Sequence, residues 1–312
     1  MTDSSFETVE LTHQDLAFLS DQFIQSLQDK RPETRGTYQR ALREFVRWCH
    51  FDGRFTFQVG DVQRYKRYLS ETKRLSEMSV STYLTALRRL CEYLTAKEVI
   101  EINPARYVDG NKRPIAHSRE TLSPQDVECL VNSISRTDVR GRRDYMIIRL
   151  MLDAALSEIE IIRADVGDIQ MRGNTPVLHV QGKGRRTKDE VVELSEITKR
   201  AIDEYLGLRS FASNSEPLAL SAGNRTSGER MTTRGIRNRV NCYLERAGIK
   251  QGKLRRVTPF SLRHTAAVRL ADAGASADEI RQRMRLGSIT TAMLYVNHKD
   301  RSALRNPEAP SI

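Results

Sequence analysis

The chain has 312 residues, 39% of them apolar and 29% charged, which is long enough for two domains of ordinary size. No apolar run approaches the roughly 18 residues of a transmembrane helix, so the composition excludes a protein with helical membrane spans. Basic residues outnumber acidic ones by 51 to 40, and the resulting charge of +11 favours a polyanionic partner such as nucleic acid over a merely solvated basic surface.

The four cysteines are widely spaced and form no CxxC pair, so neither a zinc site nor a disulfide framework is indicated. The first residues, MTDSSFETVE, are acidic and polar and do not have the pattern of a signal peptide. We therefore expect a cytoplasmic protein with no metal site and no membrane association.

The first hundred residues have the periodicity of amphipathic helices. Apolar side chains recur at three- and four-residue spacing from Tyr38 to Cys49 and from Tyr83 to Leu94, and the segment SEMSVST supplies capping hydroxyls before the second run. A further short helix is predicted over residues 61–69. Arginines beside these apolar stripes are the predicted nucleic-acid contacts, namely Arg43, Arg47, Arg88 and Arg89.

The periodicity fails between Asn103 and Pro124, where three prolines and several charges give the composition of a linker. We predict a first domain at residues 10–108, a linker at 109–118 and a second domain at 119–305. A new helix is expected to begin after this linker, with Ser123 as its N-cap and Pro124 in its first turn.

A basic hairpin interrupts the helices of the second domain. PVLHVQ (176–181) and DEVVEL (189–194) alternate as strands do, and GKG (182–184) makes the turn between them. A lysine between two glycines can approach a phosphate backbone closely, although an ordinary solvated loop is the alternative. The basic residues at this tip are Lys183, Arg185, Arg186 and Lys188.

Three fragments, GKGRRTK, TPFSLRHTAAVRLADAG and ITTAMLYVNH, carry a family resemblance together with DAALSEIEIIRADVGDI. In this order and spacing they resemble the tyrosine recombinase or phage integrase family, which includes Xer- and Cre-like enzymes. The resemblance implies a mainly α fold. A helical, SAM-like core-binding domain is followed by an α+β catalytic domain with a small antiparallel β hairpin or sheet.

The resemblance also implies an activity. Such a protein is a site-specific DNA recombinase that cuts and rejoins double-stranded DNA through a 3′-phosphotyrosyl intermediate, which keeps the bond energy and needs no cofactor. By resemblance Tyr295 is the nucleophile, Arg263 clamps the phosphate and Lys183 protonates the departing 5′-oxygen. Self-association on DNA as a tetramer, or pairing with a partner recombinase, is implied as well.

Three positions depart from the family pattern. Ser157 stands where the first clamp arginine is expected, three residues before Glu160, and the apolar Phe260 and Leu286 replace residues that donate hydrogen bonds. We therefore expect impaired or unusual catalysis, limited chiefly by the missing arginine at Ser157. The alternative is a weak or inactive DNA-binding relative that occupies recombination sites or partners an active recombinase.

Nearby side chains are candidates to replace what is missing. His264 follows Arg263 directly, so it is expected to point about a hundred degrees away from it, to leave the place of Phe260 unfilled and to have a buried supporting role. Neither Arg149 nor Arg163 is expected to share the helical face of Ser157. The full set of replacement candidates is Arg149, Arg163, Arg285 and His298.

Overall fold

The computed structural model describes residues 11–52, 55–111, 120–182, 185–209, 213–222, 227–250 and 256–297. The chain divides into two compact units, Met1–Pro114 and Ile115–Ile312. The described residues are mainly helical with one small antiparallel sheet, which confirms the predicted fold class. None of their helices combines the length and the apolar character that crossing a membrane requires.

The described residues of the first unit form four α-helices. Ser76 caps the fourth of them by accepting a hydrogen bond from the Ser79 amide (3.3 Å), which confirms the predicted capping hydroxyl. The third helix continues into a π-helical turn, Tyr68–Thr72. The helices are α1 (His13–Ser26), α2 (Pro32–Asp52), α3 (Val59–Arg67) and α4 (Glu77–Ala96).

An aromatic cluster forms the core of this unit. The ring of Phe45 on α2 meets Phe55 edge-on at 4.8 Å and Tyr65 of α3 at 5.1 Å between centroids. Leu84 and Leu87 of α4 are fully buried against it. The apolar stripes predicted on α2 and α4 are therefore the faces that pack together, and Arg43 and Arg89 are left exposed on the outside.

The end of the first unit is fastened to its helices by hydrogen bonds. Lys66 donates to the carbonyl of Asp109 (2.8 Å), and the Asn111 amide donates to the Ser81 hydroxyl (2.9 Å). The chain thus remains attached to the first unit for three residues of the predicted linker. Residues 112–119, which include the rest of that linker, lie outside the described residues.

The second unit is assembled around a buried helix, α6 (Val139–Leu152). Its residues Arg143 to Ile148 are all buried, and α8 (Glu196–Leu206) packs along it. Ser123 accepts from the Asp126 amide (3.1 Å) at the start of α5, which confirms the predicted N-cap. The helices are α5 (Pro124–Asn132), α6 (Val139–Leu152), α7 (Glu158–Arg163), α8 (Glu196–Leu206), α9 (Thr233–Arg246), α10 (Pro259–Asp272), α11 (Ala277–Arg283) and α12 (Ile289–Val296).

The sheet has three antiparallel strands in the order β1 (Ile169–Arg172), β2 (Thr175–Val180) and β3 (Glu190–Glu193). Leu178 in the central strand pairs with Ile169 on one side and Val192 on the other, and its side chain enters the core. The sequence predicted β2 and β3. It did not predict β1, because the alternation of Ile169 and Met171 with Gln170 and Arg172 spans only four residues, three of which are exposed.

Candidate active site

A small apolar cluster brings α10, α11 and α12 together, and Tyr295 belongs to it. Its alanines, Ala266 and Ala267 on α10 and Ala292 on α12, let the helices approach closely. Tyr295 is buried, with 3% of its surface exposed. Its hydroxyl lies 2.6 Å from Nδ1 of His264, within hydrogen-bond distance.

The surroundings of the phenol keep it protonated. Burial raises the pKa of Tyr295 to about 12, and the positive charge of Arg263 acts in the opposite direction. Attack by this oxygen therefore requires a base beside it, and the imidazole of His264 is the described group in hydrogen-bond contact with it.

The predicted burial of His264 is confirmed, at 4% exposure, and its ring lies beside that of Phe260. The two residues lie four apart on α10 and so share one face, with their rings edge-on at 4.7 Å between centroids. His264 is buried and reaches Tyr295, although it is adjacent to Arg263 in the sequence. A histidine thus lies one helical turn away from the place where the resemblance expects one.

Arg263 is anchored from two sides. Its Nη1 donates to Oε2 of Glu160 at 2.6 Å, and its Nη2 donates to the carbonyl of Met284. Burial lowers the pKa of the Arg263 guanidinium, and the charge of Glu160 opposes this effect. The guanidinium is therefore held in one orientation on the Tyr295 side of the cluster.

Glu160 is the buried carboxylate that organises these groups. Burial acts to raise its pKa, but Arg263, Arg285 and the Ser157 amide bring the pKa of Glu160 down from 4.5 to about 2. The Ser157 amide and hydroxyl each donate to Oε2 at 2.7 Å, which forms a capping box at the start of α7. Glu160 is consequently an anion, and Ser157 contributes no charge to it.

Arg285 reaches the same carboxylate from the turn that follows α11. Its Nε donates to Oε1 of Glu160 at 2.6 Å, and its Nη2 donates to the carbonyl of Ala155 at 2.8 Å. Only 4% of the side chain is exposed. Of the predicted replacement candidates, Arg285 is thus the one brought to Glu160. Arg149 pairs with Asp153 instead, at 2.8 Å.

The backbone of Arg285 is in the left-handed region, with φ 51°. The amide of Leu286 donates to the carbonyl of Arg281 and the amide of Arg285 to that of Gln282, both at 2.9 Å, so α11 ends in a Schellman motif. Glycine is the usual residue at this position, and a left-handed backbone costs a residue with a side chain roughly 1–2 kcal/mol. Arginine is present here against that preference.

Lys183 and His298 lie outside the described residues, so the role predicted for Lys183 stays a prediction. Leu286 packs, partly buried, against the cluster that holds Tyr295. Within the described residues, no group of three or more His, Cys, Asp or Glu side chains is arranged to hold a metal ion.

A family model for the phage integrase family matches residues 120–302, more than half of the chain. The chain belongs to the phage integrase family. A second model, for the N-terminal SAM-like domain of phage integrases, matches residues 19–101 and thus the helices of the first unit. The family that the sequence motifs indicate is confirmed.

The relatives of this integrase-family chain are tyrosine recombinases. It is similar to the tyrosine recombinase XerD of Lacticaseibacillus casei, with 27% identity over 268 residues that cover 85% of this chain and 87% of that protein. It is also similar to the tyrosine recombinase XerC of Leptospira interrogans serogroup Icterohaemorrhagiae serovar copenhageni, with 26% identity over 303 residues, 95% and 94% of the two chains.

Solved structures of integrase-family proteins share the fold. The XerH site-specific recombinase, bound to a palindromic difH substrate in a post-cleavage complex, matches with a TM-score of 0.71 and 17% identity over 96% of this chain and 84% of that one. The Tn1549 transposon integrase in complex with circular intermediate DNA matches with a TM-score of 0.68 and 18% identity, over 95% and 99% of the two chains.

The arginines predicted to contact DNA in the first unit of this integrase-family chain differ in exposure. Arg43 is exposed, and Arg47 is half-exposed with its guanidinium 3.3 Å from Glu44. Arg89 is exposed and pairs with Glu92. Arg88 is instead half-buried: its Nε donates to the Ala105 carbonyl (2.9 Å) and its Nη2 to the Val108 carbonyl (3.0 Å). Arg88 therefore holds the end of the unit in place.

The described part of the predicted hairpin tip is exposed and basic. The Arg185 amide donates to the Gly182 carbonyl (3.1 Å), which closes the turn, and its guanidinium pairs with Asp189 and Glu190. Arg186 is exposed. Lys188 folds back onto Asp165 and Asp168 and forms ion pairs with both, so among the described basic residues of the tip Arg185 and Arg186 are the exposed ones.

Proposed function

We propose that the chain is a site-specific DNA recombinase that cuts and rejoins double-stranded DNA through a 3′-phosphotyrosyl link to Tyr295. The observation that carries the proposal is the hydrogen bond between the Tyr295 hydroxyl and Nδ1 of His264, beside the anchored guanidinium of Arg263. A module that only binds DNA has no use for a buried phenol that is paired with a base and lies beside a fixed positive charge.

Each group has a task in the first strand transfer. The phenol oxygen of Tyr295 attacks the phosphorus, its proton passes to Nδ1 of His264, and the bond from phosphorus to the 5′-oxygen breaks. Arg263 neutralises charge on the non-bridging oxygens, and Lys183 gives a proton to the leaving 5′-oxygen. Attack by a 5′-hydroxyl of another strand reverses these steps and restores both the DNA and Tyr295.

Double-stranded DNA is the proposed partner, bound by arginines of both units. The net charge of +11 supports this, as do the exposed arginines of α2, of α4 and of the hairpin tip. Strand exchange involves two DNA duplexes, so we infer self-association on DNA, as a tetramer of this chain or together with a partner recombinase.

A trapping assay tests the activity. The binding site is first selected from a pool of random duplexes, and a nicked version is prepared so that the short strand released by cleavage diffuses away. Wild-type protein is expected to accumulate a covalent protein–DNA adduct, and Tyr295→Phe none. His264→Ala is expected to lower the adduct rate by about 10²-fold or more, because the phenol loses its base.

The control for a tyrosine replacement is Tyr243→Phe, which removes the hydroxyl of another buried tyrosine, one that bonds Asp144. The Tyr243→Phe variant is expected to form the adduct at the wild-type rate. If Tyr295→Phe forms as much adduct as the wild type, the nucleophile is another residue. If the wild type binds the selected site and forms no adduct, the non-catalytic DNA-binding alternative holds.

Lys183→Ala tests the proposed acid. A group that protonates the leaving oxygen acts in the transition state, so the adduct rate is expected to fall far more than the affinity for DNA. The comparison is Arg43→Ala, which is expected to weaken binding and leave the rate of the bound complex unchanged. Equal losses of affinity with unchanged rates in both variants would make Lys183 a surface contact only.

A further inference from the structure

Two positively charged arginine side chains pair with the single negative charge of Glu160. The carboxylate accepts hydrogen bonds from the guanidinium groups of both Arg263 and Arg285. The two arginine side chains are 8% and 4% exposed. Across the described residues, Glu160 is the one carboxylate paired with either of them. The buried trio therefore has a net charge of +1, which is unfavourable unless an anion joins it.

Arg285 approaches Glu160 on the side where the family pattern would place an arginine at Ser157. Oε2 of Glu160 accepts from the Ser157 hydroxyl at 2.7 Å and from Nη2 of Arg285 at 3.3 Å, so these two side chains meet at one oxygen atom. The short serine leaves room beside this oxygen, and a guanidinium from a different element fills it. The residue missing from α7 is thus matched by one from the turn after α11.

The fork of Arg285 is still able to bind an anion. Its Nε and Nη2 bond Glu160 and Ala155, and its Nη1 donates one hydrogen to the Arg283 carbonyl at 2.7 Å. Nη1 carries a second hydrogen, for which the described residues offer no acceptor. The left-handed backbone at Arg285 favours glycine, so the turn itself does not require the arginine side chain.

We propose that Arg285 replaces the missing clamp arginine and, with Arg263, binds the DNA phosphate that Tyr295 attacks. The proposal rests on the function proposed above. Two guanidinium groups on one carboxylate then form a preorganised site for the non-bridging oxygens, and the phosphate supplies the negative charge that the buried trio lacks.

The test variant is Arg285→Gly, which removes the side chain and gives the turn its preferred residue, so that loss of folding is avoided. The control is Arg281→Ala, which removes a surface arginine of α11, the helix before that turn, that pairs with Asp278. Both are compared with the wild type on the nicked substrate, prepared once with the normal phosphate and once with a neutral methylphosphonate at the cleaved position.

Arg285→Gly is expected to lower the adduct rate on the phosphate by about 10²- to 10³-fold. On the methylphosphonate the loss is expected to be much smaller, because the charge that Arg285 neutralises is absent. Arg281→Ala is expected to behave as the wild type on both substrates. An equal loss with Arg285→Gly on both substrates, or no loss on the phosphate, would overturn the proposal, because a purely structural residue does not distinguish the two.

A binding measurement keeps this inference separate from the proposed activity. Two proteins are compared, the Tyr295→Phe variant, which is expected to make no adduct, and the same variant with Arg285→Gly added. For each, the affinity for the site with the normal phosphate is divided by the affinity for the site with the methylphosphonate. The ratio is expected to fall when Arg285 is removed. An unchanged ratio contradicts the role of Arg285 even if the wild type cleaves DNA, whereas a wild type that makes no adduct contradicts the proposed activity alone.

Discussion

The arginines of the first unit and those around Glu160 show two uses of one side chain. On α2 and α4, Arg43, Arg47 and Arg89 are exposed, and Arg89 pairs with Glu92 of the next helical turn at 62% side-chain exposure. Around Glu160 the arginines are buried at 8% exposure or less and fixed by several hydrogen bonds. Exposed pairs are screened by salt and readily exchanged, whereas buried ones hold a geometry. The comparison is consistent with the proposed roles: the exposed arginines of the first unit contribute to DNA affinity, and the buried arginines around Glu160 contribute to the strand-transfer reaction.

The largest difference is expected from replacing Arg263 by lysine. Arg263→Lys keeps the positive charge but loses the planar fork that bonds both Glu160 and Met284, so the adduct rate is expected to fall by about 10²- to 10³-fold. Single-turnover adduct formation measures it. The matched change on the surface, Arg43→Lys, is expected to leave this rate unchanged, and similar rates for both variants would remove the distinction between the two regions.

Glu160→Gln tests whether the buried region is electrostatically coupled. Because folding lowers the pKa of Glu160 from 4.5 to about 2, the ionised group stabilises the fold above pH 4.5, and this stabilisation is lost as the pH falls toward 2. The shift corresponds to about 3 kcal/mol. The difference in unfolding free energy between wild type and Glu160→Gln is therefore expected to be larger at pH 7 than at pH 3.

Denaturant unfolding at the two pH values measures this difference. The exposed Glu245, which lies 3.7 Å from Lys250, provides the control, because Glu245→Gln is expected to show no comparable change with pH. A difference for Glu160→Gln that stays constant between pH 7 and pH 3 would mean that the buried arginines do not lower the pKa of this group.

The exposed arginines are expected to set the salt dependence of DNA binding. Each phosphate contact contributes about 0.9 to the slope of the logarithm of affinity against the logarithm of salt concentration, so Arg43→Ala with Arg47→Ala is expected to reduce the slope by about 2. Gel shifts over a salt series measure it. A slope near zero for the wild type would count against nucleic acid as the partner.

Arg88→Ala tests whether this arginine of the first unit stabilises the fold or binds DNA. It leaves the carbonyls of Ala105 and Val108 without their donor, so it is expected to lower the unfolding free energy by about 1–3 kcal/mol. Its effect on the salt slope is expected to be smaller than that of Arg43→Ala. The reverse outcome would place Arg88 among the DNA contacts, where the sequence predicted it.

The smallest effect on the adduct rate is expected from Ser157→Arg, although the family pattern has an arginine at this position. Glu160 already accepts from two guanidinium groups, and a third positive charge meets repulsion, so the adduct rate is expected to change only a few-fold. The trapping assay measures it. An increase of about tenfold or more would mean that the place at Glu160 is still unfilled and that Arg285 does not replace the missing residue.

Short motifs were sufficient to predict three helices of the first unit, α2, α3 and α4, and the strands β2 and β3. Contacts between distant residues were not predictable in this way: Glu160 and Arg285 lie 125 positions apart, and only the packing of α7 against the turn after α11 joins them. One signal was present, since an arginine follows the helix RQRM at the position where a glycine usually ends a helix.

The contact between His264 and Phe260 follows from their spacing, because residues four apart lie on the same face of a helix. The contact between His264 and Tyr295, which lie 31 positions apart, does not follow from any spacing in the sequence. That Tyr295 meets this face of α10 depends on the small residues that let α10 and α12 pack closely.

The most direct test of the central claim is to locate the covalent bond itself. After trapping on the nicked substrate, the adduct is digested with nuclease and trypsin, and the peptide that retains a nucleotide is identified by mass spectrometry. The account predicts one modified peptide, residues 286–299, with a 3′-phosphate attached at Tyr295. A nucleotide attached to any other residue, or an unmodified peptide from protein that demonstrably bound the site, would contradict it.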